Sequence, residues 1–287
     1  MVETMLGVEV AKAMKTQIIE KVEAWKAKGI LPNLTIIRVG AREDDLAYER
    51  GAKKRMELTG IACKVLELPE NISQEELEVK FRQVNDDPKV HGILLFRPLP
   101  KHLDEEPLRM IINPYKDVDG MSPVNMAKVF SGDVSGHAPC TAEAVMEMLD
   151  YYKIDLTGKK VAVVGRSMVV GRPLAMLMLK KNATVTICHT KTKDLPGTLR
   201  ETEVLVAAAG RAKMITADMV GEGAIVADVG INVDENGNLC GDVDYEEAEK
   251  KASYISPVPR GVGSVTTSVL AKHVVLGLEL LAKENQI

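Results

Sequence analysis

The chain is poor in aromatic residues, with three Phe, six Tyr and one Trp among 287. So few rings leave little for nucleic-acid bases to stack on. A formal net charge of −4 gives no basic footprint for a phosphate backbone or an anionic membrane. No apolar run is expected to cross a bilayer, and the N-terminus lacks a signal-peptide pattern. Cysteines are few: Cys63, Cys140, Cys188 and Cys240 are widely spaced, three of them on or beside apparent strands. That spacing fits neither a zinc site nor a disulfide framework, so a cytoplasmic protein with reduced thiols and no metal is expected. Internal repeats and low-complexity segments are absent too. What is present is a chain with 46% hydrophobic residues, long enough to bury a large core and to divide into two domains.

The most informative stretch runs from Lys159 to Pro173. A β-branched apolar run through Val164 reads as a buried parallel strand. It breaks at Gly165, and a helix opens near Gly171 with Pro173 in its first turn, where a missing N–H costs nothing. Strand, glycine turn and helix N-terminus offer unpaired backbone N–H groups to a pyrophosphate, which makes Gly165, Arg166, Ser167, Val170 and Gly171 candidate cofactor-binding residues. Further strands at 183–188, 204–209 and 224–230 alternate with helical stretches, as in a doubly wound nucleotide-binding sheet. An NAD site places an acid about 20 residues past the first glycine. Here no acidic residue lies between Gly165 and Asp194, and the second strand empties into His189-Thr190-Lys191. Hydroxyls and cations at that point suit the 2′-phosphate of NADP.

The N-terminal part reads as a second α/β unit. Val10, Met14, Ile18, Val22 and Trp25 fall on one helical stripe closed by Gly29. Strands follow at 34–37, 63–68 and 90–96, with a helix around Tyr48 to Leu58 and another opened by a Ser73/Glu76 capping box. Residues 97–139 are rich in Pro, Gly and Asp, as active-site loops often are. A helix capped by Thr141 leads into the nucleotide half, and a last helix runs from about Thr266 to Lys283.

Several motifs in order carry a family. They are Lys116-Asp117-Val118-Asp119-Gly120, Gly165-Arg166-Ser167 with Val170-Gly171-Arg172-Pro173, Asp228-Val229-Gly230-Ile231-Asn232, Gly241-Asp242-Val243, and Pro257-Val258-Pro259 with Gly261-Val262-Gly263. On them the chain resembles the methylenetetrahydrofolate dehydrogenase/cyclohydrolase (FolD-type) proteins over nearly its full length. The resemblance implies two α/β domains, the second a Rossmann-type sheet, in a homodimer with a tetrahydrofolate substrate in the cleft. Residues 1–139 plus 265–287 would form the folate-binding domain, and residues 140–264 the NADP-binding domain. It implies hydride transfer from the substrate's methylene carbon to NADP, then hydrolysis of the methenyl cation. Tyr48 and Asp119 take the catalytic and substrate-binding places, joined by Pro259 and Gly261, while Gly210 and Ile231 join the cofactor set with His189, Thr190 and Lys191.

The chain departs from that family where the chemistry lies. The family carries a lysine four residues after the tyrosine, and here that position is Ala52. Lys53 and Lys54 follow, but each helical step turns about 100°, so both should point away from Tyr48. The glutamine that pairs with the lysine is replaced by Phe96, and Arg97 is expected on the opposite side of its strand. Arg42 to Leu46, Ala142, Arg260, Ser264 and Val265 also differ from the family pattern. The expected function is an NADP-dependent methylenetetrahydrofolate dehydrogenase with weak or absent cyclohydrolase. The alternatives are the ordinary bifunctional enzyme, a non-catalytic nucleotide- or folate-binding paralogue, and another dehydrogenase on the same scaffold.

Overall fold

The computed structural model describes residues 2–286. Two compact units divide the chain: Met1–Lys12 with Thr141–Thr266, and Ala13–Cys140 with Thr267–Ile287.

The first unit holds a six-stranded parallel sheet. Its strands are β1 (Glu3–Thr4), β5 (Lys160–Val164), β6 (Thr184–Cys188), β7 (Val204–Ala207), β8 (Ile225–Asp228) and β11 (Tyr254–Ile255), ordered β1-β11-β8-β7-β5-β6. Val161–Val164, Val204–Ala207 and Ile225–Asp228 are buried throughout, as a parallel sheet covered on both faces requires. Helices α6 (Cys140–Tyr151), α7 (Gly171–Lys180), α8 (Leu195–Arg200) and α9 (Tyr245–Ala248) accompany it, with a small antiparallel pair β9 (Asn232–Val233) and β10 (Leu239–Cys240). Ala162, Leu205, Val226, Val243 and Ile255 lie in its core. This is the doubly wound sheet expected of the nucleotide half.

The second unit holds a three-stranded parallel sheet, β3 (Ala62–Leu68), β2 (Asn33–Val39) and β4 (Gly92–Leu95), with β2 central. Its helices are α2 (Glu43–Thr59), α3 (Gln74–Asp86), α4 (Glu106–Ile111) and α5 (Pro123–Ser131). The Ser73/Glu76 capping box forms, with both of its hydrogen bonds in place. Ile37, Leu77, Phe81, Ile93 and Leu95 make the core. Two long helices, α1 (Gly7–Lys26) and α10 (Gly263–Lys283), each contribute residues to both units.

Three expectations change. Residues 1–12 belong with the nucleotide-type unit, because Glu3 and Thr4 pair with Tyr254 and Ile255 at the sheet edge. The helix expected to be capped by Thr141 begins at Cys140, so Thr141 lies inside its first turn. Finally, α10 is long and apolar enough to cross a membrane by length and composition, although two-thirds of its apolar window is buried in the protein.

Candidate active site

In the three-stranded unit the candidate residues gather around Tyr48 of α2. The Tyr48 ring meets Phe96 edge-on, with centroids 5.8 Å apart. Ala52, one helical turn on, is fully buried. Burial of the phenol pushes the Tyr48 hydroxyl well above its ordinary pKa, and the nearby Cys140 and Asp119 push it further. Asp119 sits in the loop after Asp117. Its Oδ1 accepts the Cys140 N–H at 3.0 Å, and its Oδ2 lies 3.1 Å from Nη2 of Arg97. Arg97 therefore does not face away as alternation predicts. Strand β4 ends at Leu95, so residues 96 and 97 are free of the pleat, and the guanidinium comes to Asp119.

The loop that presents Asp119 is built from below by Asp117. This buried carboxylate accepts the N–H groups of Met121 and Ser122 and the side-chain amide of Asn125, which fixes the start of α5. Gly120 sits at φ +60, and a Cβ there would stand 2.5 Å from the His137 carbonyl oxygen. Only glycine fits both conditions. Lys53 and Lys54 are exposed, and Lys53 lies 3.8 Å from Glu49, which itself pairs with buried Arg38. Arg55, which carries no motif in the sequence, shares the Tyr48–Ala52 stripe seven positions on. It is partly buried, its Nε lies 3.5 Å from Thr267 Oγ1, and burial lowers its pKa.

In the six-stranded unit the candidates lie at the C-terminal strand ends. Between β5 and β7 the strand order reverses, which is where open α/β sheets bind ligands. Gly165, after β5, has φ +133, and a Cβ on it would stand 2.1 Å from the Ala208 carbonyl oxygen. A Cβ on Gly171 would stand 2.0 Å from the Gly165 carbonyl oxygen, so the helix enters tight against the turn. The Val170 N–H donates to Ser167 Oγ at 3.0 Å, which closes the turn that exposes Arg166 and Ser167. After β6, the Lys191 N–H donates to His189 Nδ1, leaving Thr190 and Lys191 exposed with no acid beside them in sequence. Gly210 and Ile231, after β7 and β8, are exposed. Pro259 and Gly261 belong to this same unit, not to the unit of Tyr48 and Asp119. Arg260 between them holds φ +81, the left-handed conformation glycine prefers, where the resembling family carries glycine.

The four cysteines form no disulfide. Among the described residues, no group of three or more His, Cys, Asp or Glu is placed to hold a metal ion.

Residues 5–119 match the family model for the tetrahydrofolate dehydrogenase/cyclohydrolase catalytic domain, and residues 139–281 match that for its NAD(P)-binding domain. The chain is 58% identical to the "Bifunctional protein FolD" of Clostridioides difficile (strain 630), over 96% of each chain. A crystal structure of the bifunctional enzyme FolD from Campylobacter jejuni superposes with a TM-score of 0.95 at 41% identity, covering 98% of this chain and 99% of that one. The Trypanosoma brucei FolD structure, described as complexed with NADP cofactor and inhibitor, gives a TM-score of 0.92 at 35% identity over 98% of both chains.

Proposed function

Because the chain belongs to the tetrahydrofolate dehydrogenase/cyclohydrolase family, we propose that it oxidises methylenetetrahydrofolate with NADP and hydrolyses the methenyl product only weakly. It acts as a homodimer in the cytoplasm. The close approach of Gly165 and Gly171 suits a pyrophosphate, and the cationic, acid-free end of β6 suits a 2′-phosphate. Arg166, Ser167, Thr190 and Lys191 would hold the dinucleotide, whose nicotinamide supplies the hydride acceptor.

Hydride loss from the methylene carbon leaves a cation delocalised over two folate nitrogens, so the step needs alignment and no strong base. Asp119, held by the Cys140 N–H and Arg97, presents a fixed carboxylate to the paired N–H donors of a pterin. Tyr48 and Phe96 form a ring-lined wall for the same group. Hydrolysis asks for more: a water must attack the methenyl carbon, and a proton must reach the leaving nitrogen.

One observation carries the weak cyclohydrolase. The two side chains that would shuttle that proton in the resembling family are here buried Ala52 and Phe96, neither of which titrates. Arg97 brings a positive charge to Asp119, but a guanidinium stays protonated and can only donate hydrogen bonds. General acid–base help is worth about 10²–10⁴-fold, which sets the size of the deficit. A second reading, the ordinary bifunctional enzyme, is favoured by the same Arg97–Asp119 pair, with the guanidinium holding the attacking water by donating to its oxygen.

The test follows reduced cofactor and methenyl product separately in purified protein given methylenetetrahydrofolate and NADP. Methenyl product should accumulate and decay no faster than in buffer. Ala52→Lys together with Phe96→Gln should speed its decay by more than the two single changes combined, since a lone buried cation beside Phe96 lacks a partner. Prompt enzymatic hydrolysis in the wild type, at about 1–10³ per second, would establish the second reading instead.

A further inference from the structure

Asp242 lies 31 residues beyond Arg211 in sequence, yet its carboxylate fills the turn that follows β7. Oδ2 accepts the N–H groups of Ala209 and Gly210, the latter at 3.0 Å, and Oδ1 accepts the N–H of Arg211 at 2.8 Å. Three successive backbone N–H groups converging on one point make a nest of the kind that binds anions. Here a side chain of the protein occupies it. Oδ1 also accepts the Asn232 side-chain amide at 2.9 Å. One fully buried carboxylate thus ties together the two loops that carry Gly210 and Ile231.

A second carboxylate holds the first. Asp228, at the end of β8, accepts the N–H groups of Gly230 and Asp242 on Oδ1 and that of Val243 on Oδ2, at 2.9–3.1 Å. The glycines between them leave no slack. A Cβ at Gly230 would stand 2.4 Å from Asp242 Oδ1, and one at Gly241 would stand 1.9 Å from Asp228 Oδ2. The tied turn is also the one Gly165 packs against, at the reversal point between β5 and β7.

We propose that Asp242 is a positioning residue for the dinucleotide: it fixes the turns after β7 and β8 in the shape that receives the cofactor. By filling the nest after β7, it also leaves the turn after β5 as the place for the pyrophosphate. The inference rests on the NADP reading and adds the device that shapes the cofactor's far wall.

Asp242→Asn keeps the size of the side chain but sets an amide N–H₂ against N–H donors, which unties at least one loop. NADP affinity, measured by calorimetry on the full-length protein, should fall by tenfold or more. KM for NADP should rise to match, while KM for methylenetetrahydrofolate stays within twofold. A purely structural role would lower the melting temperature and the active fraction and leave KM for NADP in place. Asn232→Ala, which spares the carboxylate and removes one of its four donors, should weaken NADP about threefold. It decides the matter if Asp242→Asn does not fold. A wild type that binds no NADP would remove the cofactor reading and this proposal together. A wild type that binds it, beside folded variants that bind equally well, overturns the proposal alone.

Discussion

Two buried titratable side chains, one in each unit, respond to acid in opposite directions. His91 accepts the Asn33 N–H on Nδ1, and burial with the nearby Lys116 charge presses its pKa down to about 4. The unfolded chain takes up that proton near pH 6.5, so folding holds His91 neutral at a cost that grows as pH falls. Its contribution is complete above about pH 6.5 and is lost down to pH 4. Asp228 runs the other way. Burial lifts its pKa to about 6 against the three N–H groups it accepts. The native state therefore holds a proton the unfolded chain has released, and stability falls as pH rises from about 4 to 6. Each shift corresponds to about 3 kcal/mol. Urea unfolding at pH 4.5 and 6.5 should show His91→Gln losing less stability than wild type on acidification, and Asp228→Asn losing more. Variants that bend the same way would overturn one of the two assignments.

Among the elements, the turn between β5 and α7 leaves no room for a side chain. Gly171 holds no unusual backbone angle, so only the 2.0 Å approach to the Gly165 carbonyl forbids a side chain there. Gly171→Ala should cost about 1–3 kcal/mol by overpacking and weaken NADP more than tenfold; retention of wild-type affinity in calorimetry would show that the turn has slack. This turn was legible in the sequence because β-branched strand, glycine and proline all report locally. So were β2, β3, β5 to β8, the helix closed by Gly29 and the helix around Tyr48 to Leu58. The helices α4 and α5 were not read, although Ser122-Pro123 caps α5 and Gly132 closes it at φ +74. Those signals sit inside a run so rich in Pro, Gly and Asp that it reads as loop. Asp119 was singled out by motif order and Tyr48 by the family resemblance, whereas the Arg97–Asp119 pair had no sign in the sequence. It depends on β4 stopping at Leu95, and strand ends leave little trace in sequence. Asp242 was visible only as part of a motif, since its partners lie far away along the chain.

At the scale of the whole molecule, neither unit is a single stretch of sequence. The six-stranded sheet takes β1 from the first few residues, where Glu3 and Met5 donate to Ser253 and Ile255 at 2.8 Å and the Met5 side chain is fully buried. A pairing about 250 residues apart has no local signature, which is why these residues read as belonging to the other half. Removing residues 2–5 deletes the edge strand and the Met5 anchor. It should lower stability by about 2–5 kcal/mol, the range for emptying a buried methionine site. Thermal unfolding of the truncated chain checks this, and an unchanged midpoint would mean that β1 is ornamental.

The same edge strand sets the order in which the protein can be made. A ribosome adding about 5–20 residues per second needs roughly 10–50 s to get from β1 to the β11 segment it pairs with. For all that time β1 has no β11 to pair with. The residues of β1 are therefore among the last to be seated. A chain halted before β11 leaves the nucleotide sheet two strands short, since β1 reaches the sheet only through β11.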